Sequence, residues 1–157
     1  MKTVPSSKID HNILKKGIYI SRIDDDITTY DVRMREPNRE TVMTNSAIHT
    51  IEHIFNTYVR STEFGDNIIF FGPMASRTGF FFLTRRLSDN YSIQLIKDAF
   101  QHIADFWGRI PDASPSECGN CLEHNLPQAK EEARNFLEII KEWTKEDLVY
   151  PTAQTEE

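Results

Sequence analysis

The chain has 157 residues, 39% of them hydrophobic and 27% charged, enough for one globular domain of residues 1–150 with its own core. Its formal charge is −6, and no Lys/Arg cluster interrupts the acidic balance, so a nucleic-acid footprint is not expected. No apolar run approaches the roughly 18 residues of a membrane span, and "MKTVPSSKIDHN" lacks the apolar core of a secretory signal, so a cytoplasmic protein without a membrane partner is expected.

In chain order, "GIYISRI" (17–23) and "ITTYDVRM" (27–34) read as strands joined by an Asp-rich turn at Asp24 to Asp26. Thr44 or Asn45 can cap a helix over about 45–61, with Ile48, Ile51, Phe55 and Tyr58 near one face. "NIIFFG" (67–72) and "GFFFLTR" (79–85) are short apolar runs flanking "PMASRT", which suggests two more strands with a tight connection. From Asp89 to Gly108 a helical period places Ile93, Ile96, Phe100, Ile103 and Trp107 together. Pro127 opens a last helix with Ala133, Phe136, Leu137 and Ile140 inward, and residues 151–157 read as a flexible tail. Strands and helices in mixed order with hairpin-like joins predict an α+β fold, an antiparallel sheet packed against helices.

The chemistry starts in "NSAIHTIEHIFNTY" (45–58). His49 and His53 are four apart, so a helix sets both rings on one face, within reach of one metal ion. Glu52 completes an H-x-x-E-H pattern, in which a carboxylate beside a bound metal can move protons at neutral pH. Ordinary hydrogen-bonded helix histidines are the alternative reading.

Two imidazoles do not complete a site. His11, His102, Cys118, Cys121 and His124 are the candidates for a third ligand, and "ECGNCLEH" (117–124) holds three of them. His49, His53, Cys118 and Cys121 can close a structural zinc site. "CGNC" can act as a redox pair, although it follows a Pro/Ser-rich loop rather than a strand. One cysteine can instead join the two histidines and leave a position for substrate, and only that arrangement gives Glu52 a task. An H-x-x-E-H peptidase ranks below these, since it wants a carboxylate or His ligand rather than Cys118.

Five blocks together resemble one family, the S-ribosylhomocysteine lyases of the LuxS type: "SSKIDH" (6–11), "YDVRMREPN" (30–38), "AIHTIEH" (47–53), "GPMASRTGF" (72–80) and "ECGNCLEHNLPQAK" (117–130). The resemblance implies a homodimer with active sites at the subunit interface. It implies one divalent metal per subunit, Fe(II) with zinc or cobalt able to substitute, held by His49, His53 and Cys118. The implied substrate is S-ribosylhomocysteine, cleaved to homocysteine and 4,5-dihydroxypentane-2,3-dione, the precursor of autoinducer-2. Its carbonyl must migrate along the sugar until the sulfur lies β to a ketone, and a metal would act as the Lewis acid. Glu52 matches one proton-transfer position; Ser6, His11 and Arg33 match substrate-contacting ones. Arg33 can grip a substrate carboxylate with its fork, or simply sit in a strand salt bridge.

One departure bears on turnover. The family carries Gly and then Cys where this chain has Ala75 and Ser76. That cysteine is the family's second proton shuttle, and a serine hydroxyl without an adjacent base is a far weaker acid. Ser76, at that catalytic position, can still hydrogen-bond a sugar hydroxyl, and turnover is expected to fall by orders of magnitude unless another group substitutes. An inactive variant, a paralogue that binds without turnover, and a lineage that uses Ser76 or a water are the readings left open. Phe70 stands where some members have Asp, and Cys121 is not a usual family position.

Overall fold

The computed structural model describes residues 1–2 and 9–152. Four strands, β1 (Gly17–Asp24), β2 (Ile27–Arg33), β3 (Ile68–Pro73) and β4 (Gly79–Arg85), form one antiparallel sheet in the order β1-β2-β4-β3. Three helices, α1 (Asn45–Arg60), α2 (Asp89–Asp105) and α3 (Leu126–Ile140), complete the α+β architecture.

Alternation along the strands decides which face is covered. Tyr30 pairs with Phe82 and Val32 with Phe80, and all four are buried without exposure. Phe55 of α1 stacks on Phe71 of β3 with ring centroids 3.7 Å apart, which seats the helix on that face. Ile51, Ile54 and Val59 of α1, Ile96, Phe100 and Ile103 of α2, and Ala133, Phe136 and Ile140 of α3 join the same core. The face that α1 does not bury carries the histidines.

Each helix starts on a side-chain cap that satisfies a backbone N–H of the first turn. Thr44 accepts from Ala47, Ser88 from Tyr91 and Asn125 from Gln128. Pro127 occupies the first turn of α3, where its missing N–H costs nothing.

α2 ends earlier than its hydrophobic period suggests. Phe106 turns to extended backbone (φ −65, ψ 136), and Gly108 takes a positive φ of 104. Trp107 is consequently 87% exposed rather than inward, and Phe106 packs on the core instead.

The chain's last described stretch is tied to β1. Ile20 donates its backbone N–H to the Leu148 carbonyl at 2.8 Å, and the Trp143 indole donates to the Ile18 carbonyl at 2.8 Å. These bonds hold Tyr150 beside β2. Gly79 starts β4 against the end of β2, where a Cβ would collide with the Val32 carbonyl, so this junction is closed to any side chain. No helix among the described residues is long and apolar enough to cross a membrane.

Candidate metal centre and substrate pocket

α1 presents His49 and His53 one turn apart, and the loop from α2 to α3 folds back over them. Nδ1 of His49 lies 2.9 Å from the Glu123 carbonyl, and Nδ1 of His53 lies 2.8 Å from the Pro111 carbonyl. A carbonyl only accepts, so both Nδ1 atoms carry the proton and both Nε2 atoms bear a lone pair. Those two Nε2 atoms face each other at 3.1 Å. Two lone pairs so close repel unless a cation lies between them.

Cys118 brings its sulfur 3.3 Å from His49 Nε2 and 3.7 Å from His53 Nε2. A tetrahedral ion bonded at about 2.0–2.3 Å to N and S has ligand edges of roughly 3.3–3.7 Å; the two edges to sulfur fall in that range and the edge between the rings, 3.1 Å, is slightly shorter. The backbone carbonyls behind the rings fix their orientation, as outer-shell partners of metal-binding histidines do. His124 joins the group: its Nε2 is 3.9 Å from the sulfur, its ring stacks on His49 with centroids 4.0 Å apart, and the four donor atoms lie within 4.8 Å of one another. Burial first, then the neighbouring His49 and His53, lowers the His124 pKa below the ordinary imidazole value.

The other third-ligand candidates lie elsewhere. His102 stacks on Tyr58 at 4.9 Å, and His11 bonds the Ile9 carbonyl through Nδ1 at 2.9 Å. Cys121 is half-buried and stands outside the four-residue group, so the structural zinc arrangement built on it is not the one the fold assembles. Glu52, also half-buried, is not a ligand either, and its backbone carbonyl accepts from Asn56.

The substrate-contacting candidates gather at the sheet end. His11, Arg33, Ser76 and Thr78 line a cavity of about 590 Å³ together with the Asn38–Thr41 turn. None of the lining residues belongs to the His/Cys group. Ser6 lies outside the described residues. Arg33 is 4% exposed, and its fork is already engaged: Nε and Nη2 donate to the two carboxylate oxygens of Asp31 at 3.0 and 2.7 Å. Nη1 donates to Thr78 Oγ1 at 2.8 Å, and that hydroxyl pairs with exposed Ser76 at 2.8 Å. Tyr150 closes the network by donating to Asp31 at 2.7 Å; burial and the Asp31 charge push its pKa well above the usual phenol range, so it stays protonated. The strand salt bridge is therefore the arrangement present, and one N–H on each of Nη1 and Nη2 is left to Arg33.

Sequence reasoning missed Asp31, Thr78, Tyr150 and Thr50. Asp31 and Arg33 are two apart on a strand and so share a face, a signal that was readable. Tyr150 is 119 residues from Asp31, and nothing local announces it.

A metal-binding α+β protein is the class that this fold and this cluster define. The chain matches the family model described as S-Ribosylhomocysteinase (LuxS) over residues 4–147. It is 44% identical to the S-ribosylhomocysteine lyase of Phocaeicola vulgatus over 161 aligned residues, covering 98% of this chain and all of that one. The lyases of Borreliella afzelii and Finegoldia magna are 44% and 39% identical, each over 96% of this chain and nearly or entirely the full length of the relative. The chain belongs to the LuxS family.

Proposed function

We propose that this protein is an S-ribosylhomocysteine lyase that releases homocysteine and 4,5-dihydroxypentane-2,3-dione. The observation that carries the reading is the pair of Nε2 lone pairs 3.1 Å apart beside a thiol sulfur. That donor set holds one divalent ion through His49, His53 and Cys118, with Fe(II) favoured and zinc or cobalt able to substitute. Bound there, the ion would supply Lewis acidity for carbonyl migration.

The chain's own groups do the rest. Glu52, one residue before His53, shuttles a proton at the carbon next to the carbonyl. Arg33, held by Asp31, and Ser76, bonded to Thr78, grip sugar hydroxyls with His11 and Ser6. Among the described residues the hydrogen-bond partner of Ser76 is the Thr78 hydroxyl rather than a base. It therefore replaces a proton-transferring thiol with a binding group, and turnover is slow.

A homodimer completes the site in this reading. The cavity at Arg33 and the His/Cys triangle share no residue on one subunit, and a second copy can bring one against the other. Exposed Trp107 (87%) and Leu122 (94%) flank the loop that carries Cys118 and supply apolar surface for such a contact. A cytoplasmic location fits a small-molecule lyase of this kind.

The test supplies S-ribosylhomocysteine to Fe(II)- or Co(II)-loaded protein and follows free thiol. Slow release above background is expected, rising by orders of magnitude in Ser76→Cys. No thiol from either protein, with metal bound, rejects the lyase reading. Substrate binding by calorimetry without turnover, followed by recovery in Ser76→Cys, instead makes the natural chain a binding protein of the same fold.

A further inference from the structure

Three imidazoles surround Cys118, and the hydrogen bonds behind them sort them into two kinds. Behind His49 and His53 stand carbonyl oxygens, which only accept. Behind His124 stands the Thr50 hydroxyl, 2.9 Å from Nδ1. The same oxygen accepts the Asn125 backbone N–H at 2.9 Å. Thr50 is fully buried on α1, and among the described residues its proton meets no acceptor other than His124 Nδ1.

A hydroxyl has one proton to give. Given to Nδ1, it leaves the neutral His124 ring with its own proton on Nε2. The ring that stacks on His49 thus presents an N–H to the centre, where its two neighbours present lone pairs. His49 and His53 Nε2 lie 3.3 and 3.7 Å from the Cys118 sulfur, and His124 Nε2 stands off at 3.9 Å.

We infer that His124 is a hydrogen-bond donor in the active site rather than a fourth metal ligand, its Nε2–H directed at the carbonyl or hydroxyl oxygen of an α-hydroxycarbonyl substrate. The inference rests on the lyase reading for its substrate and on Thr50 for its direction. As the carbonyl migrates, negative charge grows on that oxygen, and a donor fixed in advance stabilises it without reorganising. Thr50 is the positioning residue: it holds the tautomer, and the Asn125 N–H that it accepts ties that tautomer to the cap of α3.

The ring nitrogens decide the matter directly. Long-range proton–nitrogen correlation spectra of ¹⁵N-labelled, zinc-loaded protein should show His49 and His53 with protonated Nδ1 and metal-bound Nε2. His124 should show the reverse, a protonated Nε2 and a bare Nδ1. A metal-bound Nε2 on His124 overturns the assignment. Co(II) titration gives a second reading: His124→Ala and His124→Gln should keep cobalt affinity and the ligand-field spectrum of the parent within about twofold, whereas loss of a ligand would drop affinity far more than the roughly 10- to 100-fold of a supporting group. Thiol release in His124→Ala should fall about 100- to 1,000-fold in kcat with KM little changed, and His124→Gln, which also carries an N–H, should recover part of it. Unchanged kcat in the alanine variant removes the donor role. A parent that shows the expected tautomers and releases no thiol rejects the lyase reading while leaving the His124 proton where it was found.

Discussion

Around Arg33 every polar group meets a partner that the chain itself supplies: Asp31 takes the fork, Thr78 the remaining nitrogen, and Tyr150 caps the carboxylate. Around His49 the partners behind the rings are equally well placed, yet in front of them two lone pairs and a sulfur converge on one another. The sheet end is complete without a ligand. The helix face gathers donor atoms that could hold an ion. Buried polar groups satisfied by one another set a rigid surface, whereas buried donors aimed at one point store the affinity for something that must arrive. The two regions should therefore respond in opposite ways to the loss of a single group.

The largest effect is expected where a ligand is removed. Cys118→Ala should lower metal affinity by more than about 100-fold, beyond the usual cost of losing a supporting group. The metal-free protein should lose little stability, because the deletion relieves crowding rather than stranding a charge. Metal content after dialysis, paired with thermal melting of the metal-free form, checks both halves. A variant that keeps its metal would move Cys118 out of the centre.

Asp31→Ala reverses the pattern. It leaves the Arg33 guanidinium buried at 4% exposure with no counter-charge, a change that costs about 3–5 kcal/mol. Metal affinity should stay close to the parent value, since the network touches none of the four residues of the His/Cys cluster. Denaturant unfolding with and without zinc measures the two responses on one protein. Loss of metal binding at unchanged stability would show that the regions are not independent.

These regions were also unequally legible in the sequence. H-x-x-E-H on a helix and a cysteine in the returning loop are local signals, and the rule that residues four apart share a face carries them to the correct geometry. The strands likewise follow from short runs of strand-forming residues, to within one residue at each end. What local pattern does not encode is which atom stands behind a side chain. The carbonyls of Pro111 and Glu123 belong to loop backbone without periodicity, and they place the ring protons of His53 and His49 on Nδ1. Thr50 reads as one more helix residue until α3 brings Asn125 against it. Trp107 fits the period of α2 and still points outward, because Phe106 ends the helix first.

Tyr150→Phe tests how much of the Arg33 network is held from the chain's end. The phenol donates to an ionised carboxylate, a bond worth roughly 1.5–3 kcal/mol where it is buried. The ring itself would keep its stack on Tyr19, at 4.9 Å between centroids. Stability should fall by about that amount in chemical denaturation, and an unchanged midpoint would mean that Arg33 alone satisfies Asp31.

Cys121→Ala should do least. The two cysteines share a loop and a spacing that suits zinc, and the family resemblance rather than the spacing singles out Cys118. The fold separates them: Cys118 is buried against the histidines, while Cys121 is half-buried and outside the group whose donor atoms converge. Its replacement is a surface change away from any cap, core or charge pair, for which about 0.5 kcal/mol in either direction is usual. Metal content and melting temperature should therefore match the parent. Loss of metal here would require the loop to rearrange so that the second sulfur reaches the rings, and would return the centre to a closed, structural one. Retained metal together with a lost ion in Cys118→Ala assigns the thiolate to one position of a pair that composition cannot tell apart.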